Sequence, residues 1–275
     1  MSVLLSLLAA ASYGLSDFNG ALFSRRGGVW AVSLVGQLAG FLVVVTVALV
    51  DGGSPTGTDF AWAALAGVGN GFGTAFLYRG LSFGRMGVVA PVSGVGAVLV
   101  PVVAGVVAGE RPATMVWLGV LLALPAIWMV SREPDVGAPS RSGLADGILA
   151  GLGFGALFAA LGQVPEEAGF LPLAVNQLVA VPAIIGVALL MRADWVPRNR
   201  YALGGAISGI LGALASGLFQ VATQQGFLTV AAVITSLYPA FTVLLAATAL
   251  REHVHRVQAL GMALCAAAVV LVAAG

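Results

Sequence analysis

Residues 84–111 read GRMGVVAPVSGVGAVLVPVVAGVVAGER, and residues 226–253 read GFLTVAAVITSLYPAFTVLLAATALREH. A shift of 142 positions lays one over the other without a gap. Gly84 then meets Gly226, Ala90 meets Ala232, Ser93 meets Thr235 and Glu110 meets Glu252, and further on Gly119 meets Gly261. Identities among glycine and alanine carry little weight. The register of two glutamates at the ends of two apolar runs carries more, and it predicts an internal repeat.

Composition sets the solvent in which that repeat lies. Of 275 residues, 60% are hydrophobic and 8% charged, with a mean hydropathy of +1.04. A soluble domain carries roughly a quarter charged residues, so this chain could not cover a water-facing surface. It reads as an integral membrane protein. The net charge of +1 points to no nucleic-acid partner. All twelve basic residues are arginine, and a phosphate-binding Walker A loop needs lysine. The single cysteine, Cys265, cannot form an internal disulfide and reads as core packing. The first apolar run has no basic segment before it and reads as a retained span, without a cleaved signal.

A membrane-spanning helix needs about 20 apolar residues. Breaks at charges, prolines and glycine clusters give ten such segments, roughly 3–24, 28–50, 60–82, 86–108, 113–131, 144–164, 168–191, 201–224, 229–250 and 255–274. The longest polar stretch, SREPDVGAPSRSG at residues 131–143, divides the chain into two near-equal halves. The expected repeats are residues 1–134 and 143–275. Five spans is an odd number, so the second half enters the membrane inverted. The predicted fold is all-α, with two inverted five-helix repeats around a central cavity, the architecture of secondary transporters.

The stretch LYRGLSFGRMGVVAPVSGVGAVLVPVVAGVVAGER, its weaker echo in the second half and SYGLSDFNG in the first span together resemble the EamA-type repeat of the drug/metabolite transporter superfamily. The resemblance covers essentially the whole chain. It implies ten helices, a central cavity between the halves, and movement of small metabolites by alternating access. It also implies termini in the cytoplasm. The arginines speak against that last expectation. Loops after spans 1, 3, 5, 7 and 9 hold Arg25, Arg26, Arg85, Arg132, Arg141, Arg192, Arg198, Arg200, Arg251 and Arg256, whereas the other loops hold Arg111 alone. Arginine-rich short loops face the cytoplasm, so both termini are expected outside it, in a multi-pass protein of the plasma membrane.

Polar residues within the spans are the candidates for function, because each is costly in hydrocarbon. Tyr13, Asp17 and Gly20 share one helical stripe, with Ser16 beside them. Asp17 and Arg79 lie at similar depths, so a pair between them within the first half is one expectation. A solute-binding or proton-carrying role for Asp17 is another, and a structural ion pair or kink cap is a third. Asn70, Thr74 and Tyr78 form a stripe on span 3. Ser208, Gly212, Ser216, Gln220 and Thr223 form one on span 8, where Gln220 is the repeat equivalent of Tyr78. Asn70, Tyr78 and Gln220 read as cavity lining, and Ser208 and Ser216 as interhelical hydrogen bonding. Ser93 on span 4 and Thr235 and Tyr238 on span 9 complete the expected lining. Pro91, Pro101 and Pro239 free backbone carbonyls and are hinge or cavity candidates, with ordinary kinks as the equal reading. Gln37, Asn176 and Gln177 are buried amides that fit cavity or structure. Glu110 and Glu252 suit the positive N-terminal end of the helix that follows each. The glycine pairs Gly67/Gly71, Gly69/Gly73, Gly151/Gly155 and Gly205/Gly209 read as close-packing surfaces.

The solute-binding set is therefore Tyr13, Ser16, Asp17, Asn70, Tyr78, Arg79, Ser93, Gln220, Thr235 and Tyr238, with no metal, cofactor or catalytic residue. An enzyme is disfavoured, since His253 and His255 fall in a loop and no buried Ser–His dyad or two-histidine metal site can form. Glu166 and Glu167 point to different faces and lack an aspartate-rich partner motif. No filter loop or ring of like charge suggests a channel. The leading expectation is an exporter or exchanger of a small polar or amphipathic metabolite, with amino acids or derivatives favoured through the family resemblance. Arg79 would receive a carboxylate and Asp17 an amine. A lipid-handling or scaffolding role is the alternative.

Overall fold

The computed structural model describes residues 1–82, 86–131, 141–251 and 254–275, with side chains at all of these except 78, 80–82, 86–88, 90, 91 and 141–143. Arg85, Arg132, Glu252 and His253, and the side chains of Tyr78, Pro91 and Arg141, therefore lie outside the described residues. The described chain forms α1 (Ser2–Gly27), α2 (Val29–Asp51), α3 (Gly57–Ser82), α4 (Met86–Val107), α5 (Thr114–Ser131), α6 (Arg141–Leu161), α7 (Leu171–Leu190), α8 (Gly205–Gln224), α9 (Leu228–Thr235), α10 (Tyr238–Ala249) and α11 (Arg256–Ala273). Short 3-10 turns, Glu166–Ala168 and Arg200–Gly204, precede α7 and α8. In hydrocarbon every backbone amide must be satisfied within the segment, and helices do this for long apolar runs.

Eight stretches are long and apolar enough to cross a membrane, among them Val29–Asp51, Thr114–Ser131, Leu171–Leu190 and Leu228–Ala249. The apolar stretch Val92–Val107 of α4 is shorter. Helix α1 is not among the eight, because Asp17, Asn19, Arg25 and Arg26 dilute its apolar character. Among the described residues, eight stretches and one shorter apolar helix thus answer to the ten expected spans. The ninth of these is not one helix: it breaks at Ser236–Leu237, and Pro239 stands in the first turn of α10. Proline there has no amide hydrogen to donate, so a new helix start suits it.

The halves are interleaved. Helix α3 packs on α6 and α7, and α8 packs on α1 and α2, the same relation with the halves exchanged. Likewise α4 packs on α6 while α9 and α10 pack on α1, and α5 packs on α11. Glycines let the backbones close in. A Cβ on Gly153 would stand 2.5 Å from the Gly73 nitrogen, and one on Gly96 would stand 2.6 Å from the Gly151 Cα. The Gly205/Gly209 pair meets Val32 and Gly36 of α2 in the same way. Cys265 is buried between α11 and α5 among Ile127, Val130 and Ala268.

Contacts between helix ends sort the connections onto two faces. On one, the Ser54 amide donates to the Glu167 carbonyl (2.8 Å), and the Ser2 hydroxyl donates to the Ala222 carbonyl (2.8 Å). Gly53, at φ 113°, packs there against Ala168 and Gly169. On the other, the Asn199 side chain donates to the Arg26 carbonyl (3.0 Å) and caps the turn before α8 by accepting from the Tyr201 amide (3.0 Å). Arg26 and Arg200 lie over the Tyr201 ring at 5.5 and 5.4 Å. This second face carries Arg25, Arg26, Arg192, Arg198 and Arg200.

Candidate functional site

A cavity of about 100 Å³ lies between the halves. Its wall comes from α1 (Tyr13, Ser16, Asp17), α2 (Val32, Ser33, Gly36, Gln37), α3 (Asn70, Thr74, Leu77), α6 (Phe154, Leu157, Phe158), α7 (Gln177), α8 (Ser208, Gly209, Gly212, Ser216) and Tyr238 at the start of α10. The lining residues of α2 and α8 lie in the N-terminal parts of those helices, and those of α1 and α3 in the C-terminal parts. These ends converge on the arginine-bearing face, so the cavity leans toward it on those four helices, while Phe154, Leu157 and Phe158 bound it in the C-terminal part of α6, on the side of the other face. Toward the other face the bundle is filled by Ala9, Val44, Leu161, Leu173, Phe219 and Leu228.

Polar side chains tie the cavity wall together across the halves. The Tyr13 hydroxyl and Ser216 Oγ are 2.7 Å apart, and Ser16 Oγ donates to the Ser208 carbonyl at 2.8 Å. Gln37 and Asn70 exchange hydrogen bonds of 3.3 and 3.4 Å, and Asn70 Nδ2 also donates to Gln177 Oε1 at 3.1 Å. Asn176 Nδ2 reaches the same Gln177 oxygen at 3.5 Å. These amides come from α2, α3 and α7, so one array spans both halves. The donors of Gln37, Asn70 and Asn176 each find an acceptor within it, which is how neutral polar groups become tolerable away from water, while the buried Asn176 Oδ1 has no hydrogen-bond partner among the described residues. Four aromatic rings close another side: Tyr13 meets Phe158 edge-on at 5.8 Å and Tyr238 at 6.1 Å, with Phe154 one turn from Phe158.

Asp17 reaches this cavity with no hydrogen bond or ion pair to any described residue. The expected Asp17–Arg79 pair does not form. Arg79 Nε instead stands 3.3 Å from Asp146 Oδ1, the arginine side chain 26% exposed and the aspartate 3%. Arg79 Nη1 also meets Met191 Sδ at 3.2 Å, and its guanidinium lies 5.7 Å from the Phe76 ring centre. The cause is the interleaving. Helix α3 packs on α6 and α7, so the end of α3 faces Asp146 and Met191 and not its own half.

Of the sequence-derived set, Tyr13, Ser16, Asp17, Asn70 and Tyr238 share the cavity wall. Arg79 does not. Gln220 is buried below the cavity, where its Nε2 donates to the Gly169 carbonyl at 3.1 Å. Thr235 is buried, with Oγ1 3.5 Å from the Ser6 carbonyl, and Ser93 is buried on α4. Tyr78 lies outside the described side chains. Gln37 and Gln177 are cavity residues that the sequence ranked low, and Phe154 and Phe158 were not singled out at all. Their i, i+4 spacing in GLGFGALFAAL was the available signal.

Glu110 corrects a second expectation. It does not cap the following helix, α5. Its Oε1 accepts from the Leu228 amide, and its Oε2 accepts from the Thr229 amide (3.0 Å) and hydroxyl (2.6 Å). A carboxylate from the first half thus holds the N-terminus of α9 in the second, where the helix dipole favours it.

A profile of the EamA-like transporter family matches residues 1–132 and again residues 141–274. The chain belongs to the EamA-like transporter family. That family lies within the drug/metabolite transporter superfamily, and its members are transporters and not enzymes. A solved structure described as the crystal structure of a protein superposes with a TM-score of 0.76 at 15% identity, over 98% of this chain and 95% of that one. That likeness bears on the fold alone. A comparison with curated proteins finds no match. This EamA-like transporter is therefore a multi-pass, all-helical membrane protein whose two halves each match one family repeat.

Proposed function

We propose that this EamA-like transporter moves a small polar or amphipathic metabolite through the cavity between its halves by alternating access, with amino acids and their derivatives as the leading class. The observation that carries this reading is the cavity itself. It sets polar side chains in a largely apolar wall, it joins side chains of both repeats, and one aspartate without a described partner reaches it. Secondary transporters place their sites at the interface of inverted repeats.

The chain crosses the plasma membrane ten times in this reading, α9 and α10 together making the ninth crossing. The gathering of Arg25, Arg26, Arg192, Arg198 and Arg200 on one face supports a cytoplasmic position for that face, with both termini outside. The lean of the cavity toward the same face on α1, α2, α3 and α8 supports a solute site loaded from the cytoplasm, which favours export or exchange. Asp17, the carboxylate of the described lining, is the group able to hold a proton when solute leaves.

Gly212 supplies the test. It lines the cavity, and a Cβ there would meet only Ser16 Oγ, at 3.3 Å, so a larger side chain fills the solute space with little strain on the helices. Wild type and Gly212→Phe are reconstituted in vesicles and compared in counterflow of labelled amines, amino acids, nucleosides and sugars. Wild type is expected to exchange one of these classes and the variant to lose at least about tenfold of that flux. Equal flux through both proteins contradicts a central solute site.

A further inference from the structure

We propose that the cavity recognises an organic ammonium ion, an amine or amino-acid derivative whose carboxylate is absent or masked, and discriminates against the intact zwitterion. This rests on the central-cavity reading above and narrows its solute class.

Two independent features of the wall meet in this assignment. The first is charge. The described lining carries one formal charge, the carboxylate of Asp17, and no described residue is paired with it. A carboxylic acid at this depth is made tolerable by a proton, by water or by a cation, and a bound ammonium ion can take the proton's place. The arginine nearest in depth, Arg79, is occupied by Asp146 at 3.3 Å and lines no part of the cavity. A zwitterion would bring its own carboxylate into a space where no described cation receives it. An unpaired like charge is the kind of cost by which sites reject near relatives of their ligand.

The second feature is the ring wall. Tyr13 stands one helical turn from Asp17, and its ring is set at 5.8 Å from Phe158 and 6.1 Å from Tyr238. Ring faces attract ammonium groups, and rings clustered beside a carboxylate form the usual cage for them. The amide array of Gln37, Asn70 and Gln177 is neutral and largely satisfied by its own members. It offers the rest of the solute a polar surface without adding charge. The cavity volume of about 100 Å³ suits a compact amine.

The test uses the purified full-length protein in detergent and calorimetric binding. The probes are isoamylamine and phenethylamine, their carboxylated counterparts leucine and phenylalanine, and neutral isoamyl alcohol. Both amines are expected to bind at least about tenfold more tightly than the matching amino acids and the alcohol. Asp17→Asn is expected to weaken amine binding by about tenfold or more, and Asp17→Glu to retain most of it. Phe158→Leu is expected to weaken it about three- to tenfold, through the ring wall alone. Leucine or phenylalanine binding as tightly as the amines overturns the proposal, as does an Asp17→Asn protein with unchanged amine affinity, or no amine binding at all. If binding of either amino acid is then abolished by Gly212→Phe, the central solute site stands and only the ammonium assignment falls. Amine binding that survives Gly212→Phe overturns both.

Discussion

The two faces of the bundle are held by different chemistry. On the face of the termini, closure is made by backbone groups and by side chains bonded to them. Glu110 receives the first amides of α9, Gln220 donates to the Gly169 carbonyl, and Gly53 touches Gly169. On the arginine face charged and stacked links join the set, Arg79 with Asp146 and Arg26 and Arg200 over Tyr201, beside the Asn199 bond to the Arg26 carbonyl. Carboxylate-to-amide bonds in fixed geometry are strong, whereas partly exposed ion pairs are weak. The contacts at the terminus-bearing end are thus the stronger set, in line with the proposed solute path from the arginine-bearing face.

The largest expected effect lies where the halves touch by backbone alone. Gly209→Leu would drive a side chain into the Gly36 carbonyl and force α8 from α2. Its overpacking cost is about 3 kcal/mol or more, and thermal unfolding in detergent should show a collapsed transition or no folded protein. Next comes Glu110→Ala, which strips three bonds from α9. A loss of about 2–3 kcal/mol is expected, with faster labelling of cysteines placed on the terminus-bearing face. If labelling there is unchanged, the closure of that face is not made by Glu110.

Asn70→Ala should follow, at about 1–2 kcal/mol, because Gln37 and Gln177 both lose a partner. Its unfolding midpoint should fall, and Gln37→Ala on the same background should add little, since the two share one array. Arg79→Gln should do least. The arginine is a quarter exposed, so a cost of no more than about 1 kcal/mol is expected. Solute affinity should move less than about twofold, since Arg79 lines no part of the cavity. A tenfold loss of affinity would return Arg79 to the solute site and weaken the contrast between the faces.

Residue types and periods made much of this readable in the sequence. The glutamate register marked two repeats, and the alternation of arginine-rich loops sorted the connections. The cost of polarity in hydrocarbon singled out Tyr13, Ser16, Asp17 and Asn70. Pairing across the halves was not readable, because it depends on which helices become neighbours after the halves interleave. Arg79 and Asp17 share a depth and a half, yet α3 faces α6, so Asp146 takes the arginine. Glu110 sits just before α5 in the chain, yet α4 runs beside α9, so the carboxylate caps that helix instead. Gln220 occupies the position equivalent to Tyr78, but toward the terminus-bearing face, where it bonds the Gly169 carbonyl.

Ser33 tests the central claim most directly, since it lines the cavity on the arginine side and α2 begins only four residues before it. Ser33→Cys in a Cys265→Ala background would be treated with a membrane-impermeant maleimide in sealed vesicles of each orientation, with and without phenethylamine. The account predicts labelling from the side that carries Arg26 and Arg200, little from the other, and protection by the amine. Labelling from the terminus-bearing side, or at the same rate with the amine present, would contradict it.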